Sequence, residues 1–217
     1  MLLAPMHLPD TDESVQALFI SAHIADLQRD TLEQAISKGF QLAYNAKLTA
    51  FMPLLCQYTT PRGQCTLGLR RASSALFIEQ YLASPIESFI NEQTHRSDIF
   101  ELGNLFSTER KATLTNFVIV NEALQHVGAK YLAFCATKKV RALLRVLGVT
   151  CTEIALANSF VLDQPDNWGS YYTNKPTVCL VNLTQAHEQV MCTPMLYDLM
   201  QQNHHNIGSL TNELEKL

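Results

Sequence analysis

Apolar positions in this chain alternate between a period near 3.6 and a period near 2, and the changes mark its elements. From Asp26 onward Leu27, Leu32, Ile36, Phe40 and Ala43 recur at helical spacing, which predicts an amphipathic helix ending near Asn45. Phe51 to Tyr58 reads as a strand, and the turn Thr60-Pro61-Arg62-Gly63 joins it to a second strand, Gln64 to Arg70, in an antiparallel hairpin. Residues 1–25 are mixed in character, with a strand expected over Val15 to Ile24. Ala75 to Leu82 reads as a short helix, and Ser84-Pro85 starts another, with Pro85 at the first helical position.

Further along, Ile99 to Phe106 reads as a buried strand, Thr113 to Val127 as a helix stopped by Gly128, Tyr131 to Ala136 as a strand, and Lys138 to Leu147 as a basic-faced helix stopped by Gly148. Val149 to Leu162 continues as a strand, Gln164 to Asn174 is a polar and aromatic loop, Thr177 to Leu183 is a strand, and Thr184 to Asn203 is largely helical. The last dozen residues are polar and are expected to fray. This alternation implies an α/β (α+β mixed) class with a central parallel or mixed β-sheet flanked by helices. Repeats, low-complexity stretches and linkers are not evident, so residues 1–217 are read as a single domain.

Composition narrows the possibilities. Charged residues make up 17% of the chain and apolar residues 47%, yet no segment approaches the roughly 20 consecutive apolar residues of a membrane span. Met1 to Asp10 lacks the basic start and small-residue cleavage pattern of a secretory signal, so a cytoplasmic location is expected. The six cysteines are scattered, most of them inside apolar runs, so a disulfide framework is not expected. A net charge of -4 gives no electrostatic reason to bind nucleic acid or an anionic bilayer.

The chain has no Gly-rich dinucleotide fingerprint, phosphate-binding loop, Cys-x-x-Cys pair, His-Glu-x-x-His or Gly-x-Ser-x-Gly elbow. His204 and His205 lie on a polar segment with no partner spaced for a tetrahedral site, so no metal is expected. Three unusual patches remain. They are Leu76-Phe77-Ile78-Glu79-Gln80-Tyr81-Leu82 followed by Ser84-Pro85-Ile86-Glu87, then Phe100-Glu101-Leu102-Gly103-Asn104-Leu105, and finally Asn167-Trp168-Gly169-Ser170-Tyr171-Tyr172.

In this order and at these separations, with Tyr44, Phe51-Met52-Pro53, Gly68-Leu69-Arg70 and Thr137, the patches resemble the bacterial thermostable haemolysin family over about Gln28 to Leu183. The resemblance implies an acyl-CoA N-acyltransferase-like fold, similar to the acyl-homoserine-lactone synthases, which join an acyl chain carried on a thioester to an amine. Residues 26–183 would form the acyltransferase-like core and 184–217 a C-terminal helix and polar tail. The family name records a phenotype, not a mechanism.

Amide formation from a thioester needs a proton acceptor near neutral pH, and a carboxylate raised by burial can serve. Glu101, between Phe100 and Leu102 in an apolar strand, is the first candidate, and Glu79 the second; the competing structural role for each is to pair with a buried arginine such as Arg70 or Arg71, or to cap a backbone group. Gly103, Asn104 and Leu105 suit a strand opening that presents a backbone N–H to an oxyanion. Tyr171 is a candidate proton donor to the leaving thiolate, and Trp168, Tyr172 and Gln80 are candidate walls of the substrate pocket.

Acetyltransferases of this fold usually carry a Gly-rich loop where this chain has Ser107-Thr108-Glu109-Arg110-Lys111-Ala112-Thr113. Arg110, Lys111 and Thr113 at a helix start are therefore candidates for a phosphate of the acyl donor, either acyl-CoA or acyl-carrier protein. Lys138, Lys139, Arg141 and Arg145 offer a basic face to an acidic carrier protein. No permanently bound cofactor is expected. The expected reaction moves a fatty acyl group to a small amine or amino acid and gives an amphiphilic product; the competing readings are a protein that acts on membranes directly and a non-catalytic acyl-ligand-binding domain.

Overall fold

The computed structural model describes residues 17–90 and 92–217. Its strands are β1 (Leu18–His23), β2 (Leu54–Thr60), β3 (Gly63–Arg71), β4 (Ile99–Ser107), β5 (Tyr131–Ala136), β6 (Thr152–Leu156) and β7 (Thr177–Asn182). Its α-helices are α1 (Arg29–Tyr44), α2 (Arg110–His126), α3 (Lys138–Val146), α4 (Leu183–Cys192), α5 (Pro194–Gln202) and α6 (His204–Leu214). The strands form one seven-stranded sheet in the order β1-β2-β3-β4-β5-β7-β6. The β4–β5 pair is parallel and the others are antiparallel, so the sheet is mixed as expected.

The period-2 pattern sorts the strand side chains onto two faces. Leu54, Cys56, Leu67, Leu69, Phe100, Leu102, Leu132 and Phe134 meet α2 on one face. On the other face Leu55 and Met52 pack with Leu32, Ile36 and Phe40 of α1. Beside α1 on that same face, Ile99, Ala133, Val178 and Leu180 are covered by Leu76, Ile78 and Ile86 from the irregular segment after β3. Glu101 follows Ile99 at the same parity and so lies on this second face. The helix α1 stops at Asn45, which adopts a left-handed φ of 54° that lets its N–H close on Gln41 and Phe40 carbonyls.

Four expectations are corrected. The helices over 75–82 and from Pro85 are short 3-10 turns, Phe77–Tyr81 and Ile86–Phe89, ended by the extended residues Leu82 and Ile90 before an i→i−4 ladder can build. The strand over 149–162 shrinks to β6, an edge strand paired only with β7; beyond it Phe160 (92% exposed) and Val161 have no partner strand to bury them. The C-terminal residues do not fray. Ile207, Leu210 and Leu214 are spaced along one stripe of α6 and buried, and α6 lies against α2. Pro194 also divides the helix expected over 184–203 into α4 and α5. Val15 and Gln16 of the expected first strand lie outside the described residues, and its remainder is β1.

Leu210 is fully buried, so Leu210→Ala should lower stability by about 2–5 kcal/mol. Urea denaturation measures this; a frayed tail would give a change within about 0.5 kcal/mol.

Candidate active site

The parallel register of β4 and β5 runs from Ile99↔Tyr131 to Leu102↔Phe134 and stops, although both strands continue. The cause lies in β4. Against β3 its pairing steps from Phe106 to Gly103 while β3 steps only from Thr66 to Gly68, so β4 carries one extra residue, a β-bulge. Asn104 adopts a left-handed φ of 52° there, and its side chain accepts from the Met52 N–H at 2.8 Å and donates to the Ala50 carbonyl at 3.4 Å. The Met52 side chain fills the space that a Cβ on Gly68 or Gly103 would need. Gly103, Asn104 and Leu105 thus sit where the strands part, and past Leu102 the β5-facing edge of β4 has no partner in β5.

Glu101 lies one residue before this opening and is 1% exposed. Its Oε2 accepts from the Phe77 N–H at 2.9 Å and its Oε1 from the Ile78 N–H at 3.0 Å. Burial raises its pKa; the two amides and the Arg70 charge pull the other way without cancelling it. Arg70 faces Glu101 across the β3–β4 pair but donates to the Ala75 carbonyl, and Arg71 lies over the Phe100 ring at 4.9 Å. Neither pairs with Glu101, which instead takes the backbone-capping role weighed for it, on the Phe77 and Ile78 amides.

Glu79 finds a different cation. Arg96 grips it through Nη1 to Oε1 at 2.7 Å and Nη2 to Oε2 at 3.0 Å, and the N–H groups of Leu76 and Ile86 also donate to it. Chiefly through the Arg96 bond, its carboxyl is held down to about 2. Such a group stays ionised at neutral pH and has little affinity for a proton. Gln80 is exposed and turns back to the Phe77 carbonyl at 2.8 Å.

The aromatic patch closes over this face. Trp168, Tyr171 and Tyr172 join Phe40 and Tyr44 of α1 and Phe77 and Tyr81 of the 3-10 turn in one array, with centroids 5.1–6.3 Å apart. The loop is tied to the end of α1 by Ser170 N–H to the Tyr44 carbonyl (2.8 Å) and Lys47 N–H to the Asn167 carbonyl (2.6 Å). The Tyr171 hydroxyl reaches the Cys135 carbonyl at 3.5 Å, whereas the hydroxyls of Tyr172 and Tyr81 meet at 2.5 Å. Burial raises Tyr171, Tyr81 and Tyr172, the last up to about 12. Tyr81 was absent from the sequence-derived candidates, although it lies in the same patch as Glu79; its pairing with Tyr172 spans 91 positions.

The start of α2 differs from the expectation. Glu109 caps it, accepting from Lys111 N–H at 2.7 Å and Ala112 N–H at 2.6 Å, and the Thr113 hydroxyl turns to Ser107 at 2.6 Å and the Glu109 carbonyl at 2.9 Å. A carboxylate of the chain itself therefore occupies the place offered to a phosphate, so Arg110, Lys111 and Thr113 do not form a ready anion cradle. On α3, Lys138, Lys139 and Arg145 are exposed, while Arg141 turns inward to Glu153 (3.0 Å) and the Ala136 carbonyl (2.7 Å).

Behind the opening, on the α2 face, lies an almost wholly apolar cavity of ≈ 80 Å³, whose walls include Leu102, Leu105, Phe134, Val140, Leu144 and Val190. His204 and His205 are exposed, and the described residues contain no cluster able to hold a metal ion. No helix among them is long and apolar enough to cross a membrane.

This mixed α/β fold, a seven-stranded sheet flanked by helices, is shared with solved acyl-homoserine-lactone synthases. The chain is similar to BjaI, a CoA-dependent acyl-homoserine lactone synthase, at 12% identity and a TM-score of 0.55 over 89% of this chain and 90% of that one. It is also similar to FeeM, an N-acyl amino acid synthase from uncultured soil microbes, at 12% identity and a TM-score of 0.54 over 84% and 98%. The AHL synthase LasI aligns at 9% identity and a TM-score of 0.53 over 77% and 90%. At these identities the likeness establishes a shared fold. No curated protein matches the sequence. The model of the thermostable hemolysin family matches residues 22–187, and the chain belongs to that family.

Because Glu79 has a lower pKa folded than its ordinary value of 4.5, it contributes stability that is complete above that value and is lost as pH falls toward about 2. Glu79→Gln should therefore flatten the fall in stability between about pH 4.5 and 2, measured by urea denaturation across that window.

Proposed function

We infer that this protein is an N-acyltransferase, which moves a fatty acyl group from a carrier thioester to a small amine or amino acid. The observation that carries the reading is the closeness to one break in the sheet of three features: the buried Glu101 carboxylate, the unpaired edge of β4 and an apolar cavity walled by Leu102 and Leu105 of β4 and Phe134 of β5. The acyl chain lies in the cavity on the α2 face, its thioester carbonyl in the gap, and the amine approaches from the Glu101 face beneath the aromatic array. The amine nitrogen forms the new C–N bond as Glu101 takes its proton, the carbonyl oxygen is received by a free N–H of β4, and the C–S bond breaks. The Tyr172–Tyr81 pair is better placed than Tyr171 to protonate the thiolate, since Tyr171 lies at the Cys135 carbonyl.

Glu101→Gln should abolish amine-dependent thiol release while the protein stays folded; in the native protein the rate should rise with pH through a value above the ordinary carboxylate range. The assay uses medium and long acyl thioesters with a panel of amino acids and amines. Lysis of red cells by the pure protein, with no thioester consumed, would overturn the reading in favour of direct action on membranes.

The donor is a carrier-protein thioester. Glu109 places a negative charge where the diphosphate of CoA would bind, and the exposed Lys138 and Lys139 follow directly on β5, with exposed Arg145 in the last turn of the same helix. Reversing Lys138 and Lys139 to glutamate should raise KM for an acyl-carrier protein about tenfold or more and leave release from acyl-pantetheine unchanged, as measured by initial rates; equal loss with both donors would count against docking on α3.

A further inference from the structure

The turn that grips Glu101 is itself held by one guanidinium. Arg96 lies in the 3-10 turn Arg96–Asp98, directly before β4. Its Nε donates to the Ala72 carbonyl at 2.8 Å, its Nη1 to Glu79 Oε1 at 2.7 Å and to Glu87 Oε2 at 2.6 Å, and its Nη2 to Glu79 Oε2 at 3.0 Å and to the Ser74 carbonyl at 3.3 Å. These contacts use all of the N–H donors that a guanidinium carries. Glu79 in turn accepts from Leu76 and Ile86, each at 3.0 Å. The amides of Leu76, Phe77 and Ile78 follow one another at the start of the turn; the first goes to Glu79 and the next two go to Glu101. Three successive amides of one turn are thus divided between Glu79, which Arg96 holds, and Glu101.

We propose that Arg96 and Glu79 are positioning residues for the acyl-transfer base: they aim the Phe77 and Ile78 amides and through them orient Glu101. The proposal rests on the reading of Glu101 as that base. The charged or titratable groups facing Glu101 are Arg70 from β3, Glu79 and Tyr81 from the turn, and Cys135 from β5. Loosening the two amides removes donors that favour the ionised form, so loss of Arg96 raises the proton affinity of Glu101, and the unpaired Glu79 charge pushes the same way. Glu79→Gln leaves an amide oxygen to accept from the turn and leaves Arg96 anchored on Ala72, Ser74 and Glu87, so it loosens the turn less than Arg96→Ala does; loss of the like charge then dominates and acts in the opposite direction. A role confined to stability would lower activity in both variants without moving the pH profile.

The experiment compares the native protein with Arg96→Ala, Arg96→Lys and Glu79→Gln by amide hydrogen exchange at Phe77 and Ile78 and by the pH profile of kcat. Exchange at these two amides should quicken about tenfold or more in Arg96→Ala and less in Arg96→Lys, with the β2 amides unchanged. The acid limb of kcat should move to higher pH in Arg96→Ala and to lower pH in Glu79→Gln, with kcat in Arg96→Ala down about tenfold to a hundredfold and the donor KM within about twofold. Unchanged exchange, or activity lost with the acid limb fixed, overturns the proposal. Should Arg96→Ala fail to fold, Arg96→Lys and Glu79→Gln carry the same comparison. Should the native protein transfer no acyl group, the functional reading fails, and the exchange data still report whether Arg96 sets the turn, so the two failures are separable.

Discussion

A carboxylate in the middle of a buried strand is the constraint that organises this site. An ionised carboxylate without partners in the interior is destabilising by several kcal/mol. Glu101 has no guanidinium within an ion pair's reach; it has two backbone amides. Those amides come from the segment after β3, which crosses that face of the sheet without joining it. It forms short turns there, and its remaining polar groups are anchored by Glu79, Glu87 and Arg96.

The bulge at Asn104 has a comparable reach. One extra residue in β4 resets the alternation, so Leu105 stays on the α2 face and Phe106 joins the α1 face. The same bend ends pairing with β5 and opens the sheet between an apolar cavity on one side and a polar, aromatic face on the other. The loop that fills the bulge from beneath is tethered as well: Arg29, buried at the start of α1, donates to the carbonyls of Met52 (2.7 Å) and Pro53 (3.1 Å). The two halves of the site, joined through one gap, are thus held by contacts among α1, β2 and β4.

Regular elements were legible wherever a strand or helix satisfies its own backbone and buries one stripe. Tyr131–Ala136 falls where its apolar run predicts, and the hairpin turns at Pro61-Arg62. The 3-10 turns were not legible as such, because local propensity does not register that the chain turns extended at Leu82 and Ile90; nor does it register Glu101, up to 24 positions away, as the acceptor for their amides. The stripe Ile207, Leu210, Leu214 was masked by the polar residues around it. At the site, Glu101 and the opening at Gly103 could be read from an acidic residue in an apolar strand followed by glycine. The partner of Glu79 could not: Arg70 and Arg71 are adjacent to the patch in sequence, but strand geometry sends them elsewhere and brings in Arg96. The missing glycines after β4 were visible, whereas the capture of that helix start by Glu109 depends on the cap geometry.

The two carboxylates that looked alike in sequence differ in what their oxygens have left to do. A carboxylate offers about four lone-pair positions. Glu79 has two amides and two guanidinium N–H groups on its oxygens, so its capacity is filled and its proton affinity suppressed. Glu101 has two amides only, and burial keeps its proton affinity above the ordinary value. A carboxylate that served packing alone would be better stabilised by a fourfold set like that of Glu79. An incompletely satisfied one, fixed in direction and one residue from a gap in the sheet, keeps the lone pairs that a substrate amine needs.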